Sequence, residues 1–298
     1  MVLPRVYRWD HGKDCEGAAA VQASGHSPGV LTMTVALSPY RVEAYNTAKA
    51  SENKIHDDDV ARRFGFGGGL VPGVDVYAYM AHQPVARWGR AWLERGTAEC
   101  RFQKPVYDGN IATVTAMETP GGLDLRVESR GETCATGRAA LPADAAPLPE
   151  PFAEPPVPPA DRPPASEMTL ATGTLLGIRP LPIIRELVEQ CVSDLRETET
   201  LYLKEGLAHP VIIARTGNWS LNHNVVLGPW MHVGSKLQHF AAVHIGDELS
   251  VRARITGNYE HKGHKFVDAD VLVLVNLTKP VARIAHTAIW LPRQLAAA

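Results

Sequence analysis

Residues 142–164 read PADAAPLPEPFAEPPVPPADRPP and hold ten of the chain's 23 prolines. Each proline fixes φ and removes a backbone donor, so neither a helix nor a central strand can run through them. The composition supports an extended, semi-rigid connector. It lies near the middle of 298 residues. It divides the chain into a first half, 1–141, a linker, 142–165, and a second half, 166–298. Each half is long enough for one small hydrophobic core.

The two halves read alike. In the first, GVLTMTVAL (29–37) is a strand by alternation. Ser38 followed by Pro39 signals a helix start, and PYRVEAYNTAKA (39–50) puts Val42, Tyr45 and Ala48 on one helical face. After a loop, GVDVYAYMAHQPVARW (73–88) predicts a central helix. Four strand-like segments follow, TAECRFQKPV, NIATVTAM, LDLRVESR and CATGRAAL, with Asp-Gly or Gly-Gly in the turns between them. In the second half, Ile183, Ile184, Leu187, Val188, Cys191, Val192 and Leu195 recur at helical spacing. Trp230, Val233 and Leu237 in GPWMHVGSKLQHF stand at i, i+3 and i+7, which predicts that half's central helix. ELSVRARIT, KFVDADVLVLVN and VARIAHTAIWL then read as strands.

The parallel extends to local sequence. KPVYDGNIATVTA lies where AAVHIGDELSVRA lies in the other half, each with a valine three residues before a glycine and then an alternating strand. An internal duplication leaves this pattern. The fold class that satisfies it is α+β, with two curved antiparallel sheets each wrapped around a central helix.

Composition removes several function classes. Thirty basic against 32 acidic residues, with no basic run, argue against a nucleic-acid partner. Cys15, Cys100, Cys134 and Cys191 are widely spaced and form no CxxC pair, which fits reduced thiols. The opening MVLPRVYRWDHGKDCEG has no apolar core like a signal peptide's, and no apolar run approaches the ~20 residues of a membrane span. A soluble, cytoplasmic protein is expected.

The loop between the first half's two expected helices is SENKIHDDDVARRFGFGGGLVPG (51–73). It resembles the hydratase motif of the MaoC-like, R-specific enoyl-CoA hydratases, a family with the hotdog fold. There the motif runs Asp-x-Asn-Pro-(Ile/Leu)-His-x-Asp, then Ala, then Gly-Phe and a glycine-rich stretch leading into the hotdog helix. Asn53, Ile55, His56, Asp58, Ala61, Gly65 and Phe66 stand at matching or near-matching positions, and FQKPVYDG matches the segment after the helix. The resemblance implies a double hotdog with the motif in the first half only. It also implies an acyl-CoA hydratase or dehydratase, a lyase acting on an enoyl- or 3-hydroxyacyl thioester. His56 would be its base and Asn53 would position it. The Gly73 N–H, at the helix start, would polarise the thioester carbonyl. No cofactor beyond the CoA-type thioester substrate is implied, and no metal. A homodimer of double hotdogs is compatible with the family.

Three departures from the family pattern stand out. Ser51 occupies the place of the catalytic aspartate, Lys54 that of a proline, and Pro72-Gly73 that of a His-Gly. A serine hydrogen-bonds a water but cannot take its proton near neutral pH. Two alternatives therefore stay open. One is an acyl-CoA thioesterase using Asp75, in the first turn of the hotdog helix; the other is a non-catalytic acyl-thioester-binding protein. His209, before Pro210, is the second half's candidate for contacting acyl chain or CoA, whereas His232 reads as a core histidine on a helix. Asp57, Asp58 and Asp59 read as a helix N-terminus, where acids complement the dipole. GFGGG is no phosphate loop, because no Lys-Ser/Thr follows it.

Overall fold

Tyr40 and Val42 are buried while Arg41 and Glu43 are exposed, and this period of two makes a strand of residues read above as a helix. That is the first correction: β1 (Tyr40–Glu43) pairs antiparallel with residues 111–114, and Tyr45 is exposed. The computed structural model describes residues 35–296, all within the unit Thr34–Ala298. Most of the expected strand 29–37 lies outside the described residues. Its end runs beside residues 116–118, with the Leu37 N–H donating to Ala116 O at 2.9 Å.

The first half continues with a 3-10 turn (Lys54–His56), α1 (Asp58–Arg63), α2 (Gly73–Trp88) and α3 (Arg90–Arg95). Then come β2 (Thr97–Phe102), β3 (Ile111–Thr119), β4 (Gly122–Ser129) and β5 (Glu132–Ala140). The second half has β6 (Leu175–Leu176), β7 (Leu181–Pro182), α4 (Arg185–Asp194), α5 (Leu201–Glu205) and α6 (Pro210–Asn222). It closes with β8 (Met231–His239), β9 (Glu248–His261), β10 (His264–Val275), β11 (Lys279–Leu291) and α7 (Arg293–Ala296).

The strands follow the order β1-β3-β4-β5-β2-β8-β11-β10-β9-β6, with β7 also on β9. Each half contributes an antiparallel sheet, and the two join where β2 pairs with β8, Cys100 opposite Ser235. Helix α2 packs on β1, β3, β4, β5 and β8, α6 packs on β9, β10 and β11, and the two helices pack against each other. The fold is α+β, a double hotdog.

The repeat is visible bond by bond. Val71 N–H donates to Val106 O at 2.9 Å and Ala208 N–H to Val243 O at 2.8 Å, just before α2 and α6 respectively. Gly109 N–H donates to Ala44 O at 2.7 Å and Gly246 N–H to Ile183 O at 2.8 Å. Both glycines have positive φ, 72° and 100°, which a side chain would strain.

The second half's central helix is therefore α6, not GPWMHVGSKLQHF. That segment holds strand β8, in which Ser235, Leu237 and His239 face inward at every second position. His232 accordingly sits on a strand. In α6, Val211, Ile212, Ile213 and Ala214 are buried consecutively and Thr216, Gly217, Ser220 and Leu221 are buried beyond them. A helix enclosed on all sides shows no amphipathic stripe. Each of its buried Val, Ile and Leu side chains contributes about 1.5–3 kcal/mol through loss of water contact.

The linker forms neither helix nor strand, apart from a single bridge of Pro164 with Val226. It is strapped to the second half: Arg252 donates to Phe152 O at 2.7 Å, and the Arg254 guanidinium stands 4.9 Å from the Phe152 ring centre.

Candidate functional site

The loop from residue 46 to 70 is held by its own polar side chains. Asp57 Oδ1 accepts from the Asp59 and Val60 N–H groups at 3.0 and 3.1 Å, so the acidic run does begin a helix, α1. Asp58 Oδ1 accepts from Gly69 N–H at 2.6 Å. Any Cβ at Gly69 would collide with the His56 carbonyl, so only glycine lets the end of the loop fold back here. That carbonyl accepts from Asn46 Nδ2 at 3.0 Å.

His56 is thereby fixed from both sides. Its Nδ1 lies 2.7 Å from Leu70 O. A carbonyl only accepts, so Nδ1 carries the proton and Nε2 presents a lone pair. Asn53 Nδ2 stands 3.5 Å from that Nε2 and donates to Trp230 O at 3.1 Å. Asn53 Oδ1 accepts from Trp230 N–H at 3.3 Å and Ile55 N–H at 3.4 Å. One amide side chain thus joins the first half's loop to the chain just before β8 of the second half. Burial lowers the pKa of His56; the Leu70 carbonyl and the charge of Asp75 oppose it only in part. The ring is a neutral imidazole at neutral pH.

Three residues after Leu70, α2 begins at Gly73. Its N-cap residue, Pro72, offers no side-chain acceptor, and the Asp75 and Val76 N–H groups turn inward to Pro72 O at 2.9 and 3.1 Å. The helix therefore starts with uncapped amides and the positive end of its dipole. Gly73 is half-buried, and a Cβ there would stand 3.1 Å from the Phe102 ring and 3.4 Å from His232 Nδ1. The equivalent end of α6 is closed. His209 Nδ1 accepts from Val211 N–H at 3.1 Å, and Pro210 has no N–H to offer.

Ser51, Asp75 and His209 make their hydrogen bonds to groups other than the His56 ring. Ser51 donates its hydroxyl to Asn53 O at 3.3 Å, and no hydrogen bond joins it to His56 among the described residues. Neighbouring Glu52 reaches outward to Arg162 of the linker, with both oxygens within 3.0 Å of one guanidinium nitrogen. Asp75 is fully buried, accepting from Thr47 Oγ1 at 2.6 Å and from Arg215 at 2.8 Å. His209 is also fully buried, with Nε2 3.6 Å from Glu197 Oε2, too far for a hydrogen bond. Glu197 accepts instead from His82 Nδ1 at 2.7 Å and from the N–H groups of Thr198 and Glu199. Burial would raise its carboxyl, but the histidines and the Glu199 N–H outweigh that and hold it well below the usual range.

Trp230, Arg162 and Arg215 enter the site or its frame with no signal in the sequence. His232, read above as a core histidine, stands two residues beyond the Trp230 that Asn53 grips.

No protein-family model matches the chain, and no curated protein matches it. Solved structures do match. A conserved hypothetical protein of Mycobacterium tuberculosis, described as a double hotdog, aligns at 16% identity and TM-score 0.58, over 85% of this chain and 96% of its own. A MaoC domain protein assigned as a dehydratase, from Chloroflexus aurantiacus J-10-fl, aligns at 11% identity and TM-score 0.56, over 86% and 94%. A MaoC-like dehydratase aligns at 11% identity and TM-score 0.51, over 87% and 98%. At such identities the likeness is one of fold. No helix among the described residues is long and apolar enough to cross a membrane.

Proposed function

We propose that the protein binds acyl-CoA thioesters at the start of α2 and interconverts their enoyl and 3-hydroxyacyl forms, as a hydratase or dehydratase of the MaoC type. One observation carries the reading. His56 holds its Nδ1 proton on the Leu70 carbonyl and keeps Nε2 unprotonated, met only by the long 3.5 Å contact from Asn53 Nδ2, and three residues after Leu70 the chain reaches the Gly73 amide at the uncapped start of α2. The two MaoC-type structures that share the fold lend support by analogy.

In this mechanism a water beside Nε2 gives up a proton to the imidazole as its oxygen bonds to C3 of the enoyl group. The π electrons of the C2–C3 bond move toward the thioester oxygen, where the Gly73 N–H meets the developing enolate. The proton held on Nε2 then passes to C2, and His56 returns to its neutral form. Burial favours this cycle, because it keeps the resting ring unprotonated.

A thioesterase that works through Asp75 has less support, because both of its carboxylate oxygens are already engaged by Thr47 and Arg215. The binder reading draws on Ser51, which has no carboxylate to share the proton work. Crotonyl-CoA separates the three. Reversible loss of enoyl absorbance without thiol release supports the hydratase. Thiol release detected by a trapping dye supports the thioesterase. Calorimetric binding with neither change supports the binder. No binding across a panel of acyl chain lengths would sink the acyl-thioester reading altogether.

A further inference from the structure

His232, from the second half, stands over the first half's helix end. Its Nδ1 is buried without a hydrogen-bond partner, and it faces Gly73 across the space that a Cβ at Gly73 would occupy, 3.4 Å from that position. The Phe102 ring walls the same space edge-on, at 4.8 Å between ring centres. A Cβ there would be too tight against Phe102, and His232 Nδ1 stands just beyond that position, so an imidazole nitrogen without a partner lies beside the uncapped start of α2. Behind the ring, His232 Nε2 is 2.9 Å from Ser235 Oγ, and Ser235 Oγ is 3.2 Å from His286 Nδ1. His286 is pressed against α6 at Gly217, where no side chain would fit.

This arrangement has a chemical consequence. The Ser235 hydroxyl both donates and accepts, so the His232–Ser235–His286 chain exists in two neutral forms. In one, His232 Nδ1 is a lone pair. In the other, Ser235 donates to Nε2, His286 Nδ1–H donates to Ser235, and His232 Nδ1 carries a proton aimed at Gly73. The two forms carry the same net charge; passing from the first to the second reverses both hydrogen bonds at Ser235, takes a proton from His286 Nε2 and places one on His232 Nδ1, by exchange with solvent. A carbonyl oxygen that meets both His232 Nδ1 and the start of α2 accepts only, and so selects the second form.

We infer that His232 is a catalytic residue of the first-half site: its neutral Nδ1–H is the second hydrogen-bond donor, beside the Gly73 N–H, to the thioester carbonyl oxygen. Ser235 and His286 are positioning residues that set its tautomer. This rests on the acyl-thioester reading above, and it gives the second half a direct part in a site whose motif lies wholly in the first. Burial, together with the neighbouring His286, holds the His232 pKa well below its ordinary value, so the ring donates as imidazole and not as imidazolium. A neutral donor of this kind stabilises a developing enolate without losing its own proton.

Two substitutions separate this role from a packing role. Asparagine places its amide near the Nδ1 position of a histidine, and glutamine places its amide near Nε2. His232→Gln keeps the contact with Ser235 and loses the donor at Gly73; His232→Asn does the reverse. Loss of one oxyanion donor is expected to lower kcat for crotonyl-CoA hydration by about 10²–10³ in His232→Gln, with His232→Asn keeping at least about tenfold more activity. The second readout does not need turnover. The carbonyl stretch of bound butyryl-CoA is expected to be red-shifted in the wild type and in His232→Asn, and to lose part of that shift in His232→Gln and in Ser235→Ala, while calorimetry shows butyryl-CoA still bound. If His232→Gln keeps both the red shift and the rate while His232→Asn loses them, the ring is a packing residue and the inference is overturned. If the wild type hydrates or binds the thioesters but no variant moves the carbonyl band, the inference fails and the site reading stands. If the wild type does not bind butyryl-CoA at all, both fail together.

Discussion

Asp75 is either a group that meets substrate or a buried tie between the two central helices, and its replacement decides which. Its side chain is wholly enclosed, with Arg215 of α6 19% exposed at 2.8 Å. At a charge separation of ~4 Å and an effective dielectric of ~20, the pair attracts by about 4 kcal/mol, largely cancelled by the cost of desolvating both ions. Asp75→Ala removes the attraction and leaves the cost, stranding a guanidinium between the helices. Breaking a buried pair typically costs about 3–5 kcal/mol, and the small access of Arg215 to water places this one near about 3. Thr47 also loses its 2.6 Å acceptor, worth another ~0.5–1.5 kcal/mol. The expected loss is near about 4 kcal/mol out of a total of about 5–15 for a domain. Urea unfolding followed by two probes measures it. Asp75→Ala/Arg215→Leu, which removes both charges, should recover about 2 kcal/mol relative to the sum of the single changes. Asp75→Asn should shift KM for crotonyl-CoA by less than about threefold. A loss under about 1 kcal/mol in Asp75→Ala, or strict additivity in the double variant, would refute the tie.

Three other changes test the site and its frame. His56→Gln should lower kcat for crotonyl-CoA hydration by about 10²–10⁴; in the wild type the rate should fall on the acid side with a midpoint below the ordinary histidine value, because burial lowers the pKa of the base, and a flat acid limb would exclude His56 as that base. Ser51→Asp cannot donate to Asn53 O as the serine does, so its carboxylate must turn away; if it turns toward His56 it raises that ring's pKa, and the acid limb of the rate profile should move to higher pH. His239, both of whose ring nitrogens lack partners, has its pKa pushed down by burial to about 4. The unfolded chain binds that proton below ~6.5 and the folded chain only below about 4, so stability falls as pH drops between those values, by up to ~1.4 kcal/mol per pH unit. His239→Phe should flatten that slope in urea unfolding at pH 6 and pH 4.5, since Phe102 fills the matching place in β2, opposite Ala135 as His239 is opposite Ala282.

What the sequence disclosed follows from how each residue carries its information. The proline segment and the strands 97–140 and 248–291 are legible because turn residues and alternation are local. The motif around His56 is legible because its spacing belongs to one loop. Helix α6 is not legible by periodicity, because none of its faces is exposed and polar residues such as Thr216 and Ser220 are buried beside apolar ones. Its one local sign is Pro210 behind His209, a first-turn proline behind a capping side chain. In GPWMHVGSKLQHF the spacing of Trp230, Val233 and Leu237 imitates a helix, while the inward residues Ser235 and His239 are polar and hide the strand's alternation. Residues 39–50 mislead in the same way: Ser38-Pro39 resembles a helix start, yet Pro39 leads into an edge strand, a place that tolerates a missing donor. The grip of Asn53 on Trp230 and the pairing of Asp75 with Arg215 each join residues more than a hundred positions apart, and no local pattern encodes such contacts.

The duplication is close in backbone and unequal in chemistry, and the inequality lies at the helix starts. Both α2 and α6 follow the same bridge and the same pair of backbone bonds. A carbonyl approaching α6 would find Pro210 without an N–H and the Val211 N–H already given to His209. A carbonyl approaching α2 would find the start of the helix without a side-chain cap, because Pro72 has no acceptor for the Val74 N–H that corresponds to that of Val211. The two ends differ in residue as in state: glycine where no side chain caps the helix, and histidine with proline where the end is sealed. Sealing one end has a use for the other. The antiparallel packing of the helices sets Arg215 of α6 against Asp75 of α2 and, through Glu197, His209 against His82, so the closed half holds the open half's helix in place at two points along its length. The linker adds a third hold, with Arg162 gripping Glu52 in the site loop and the Asn222 carbonyl at the end of α6. On the proposed reading the second half braces a site in the first and lends it His232, so the motif residues are needed once in a chain whose framework occurs twice.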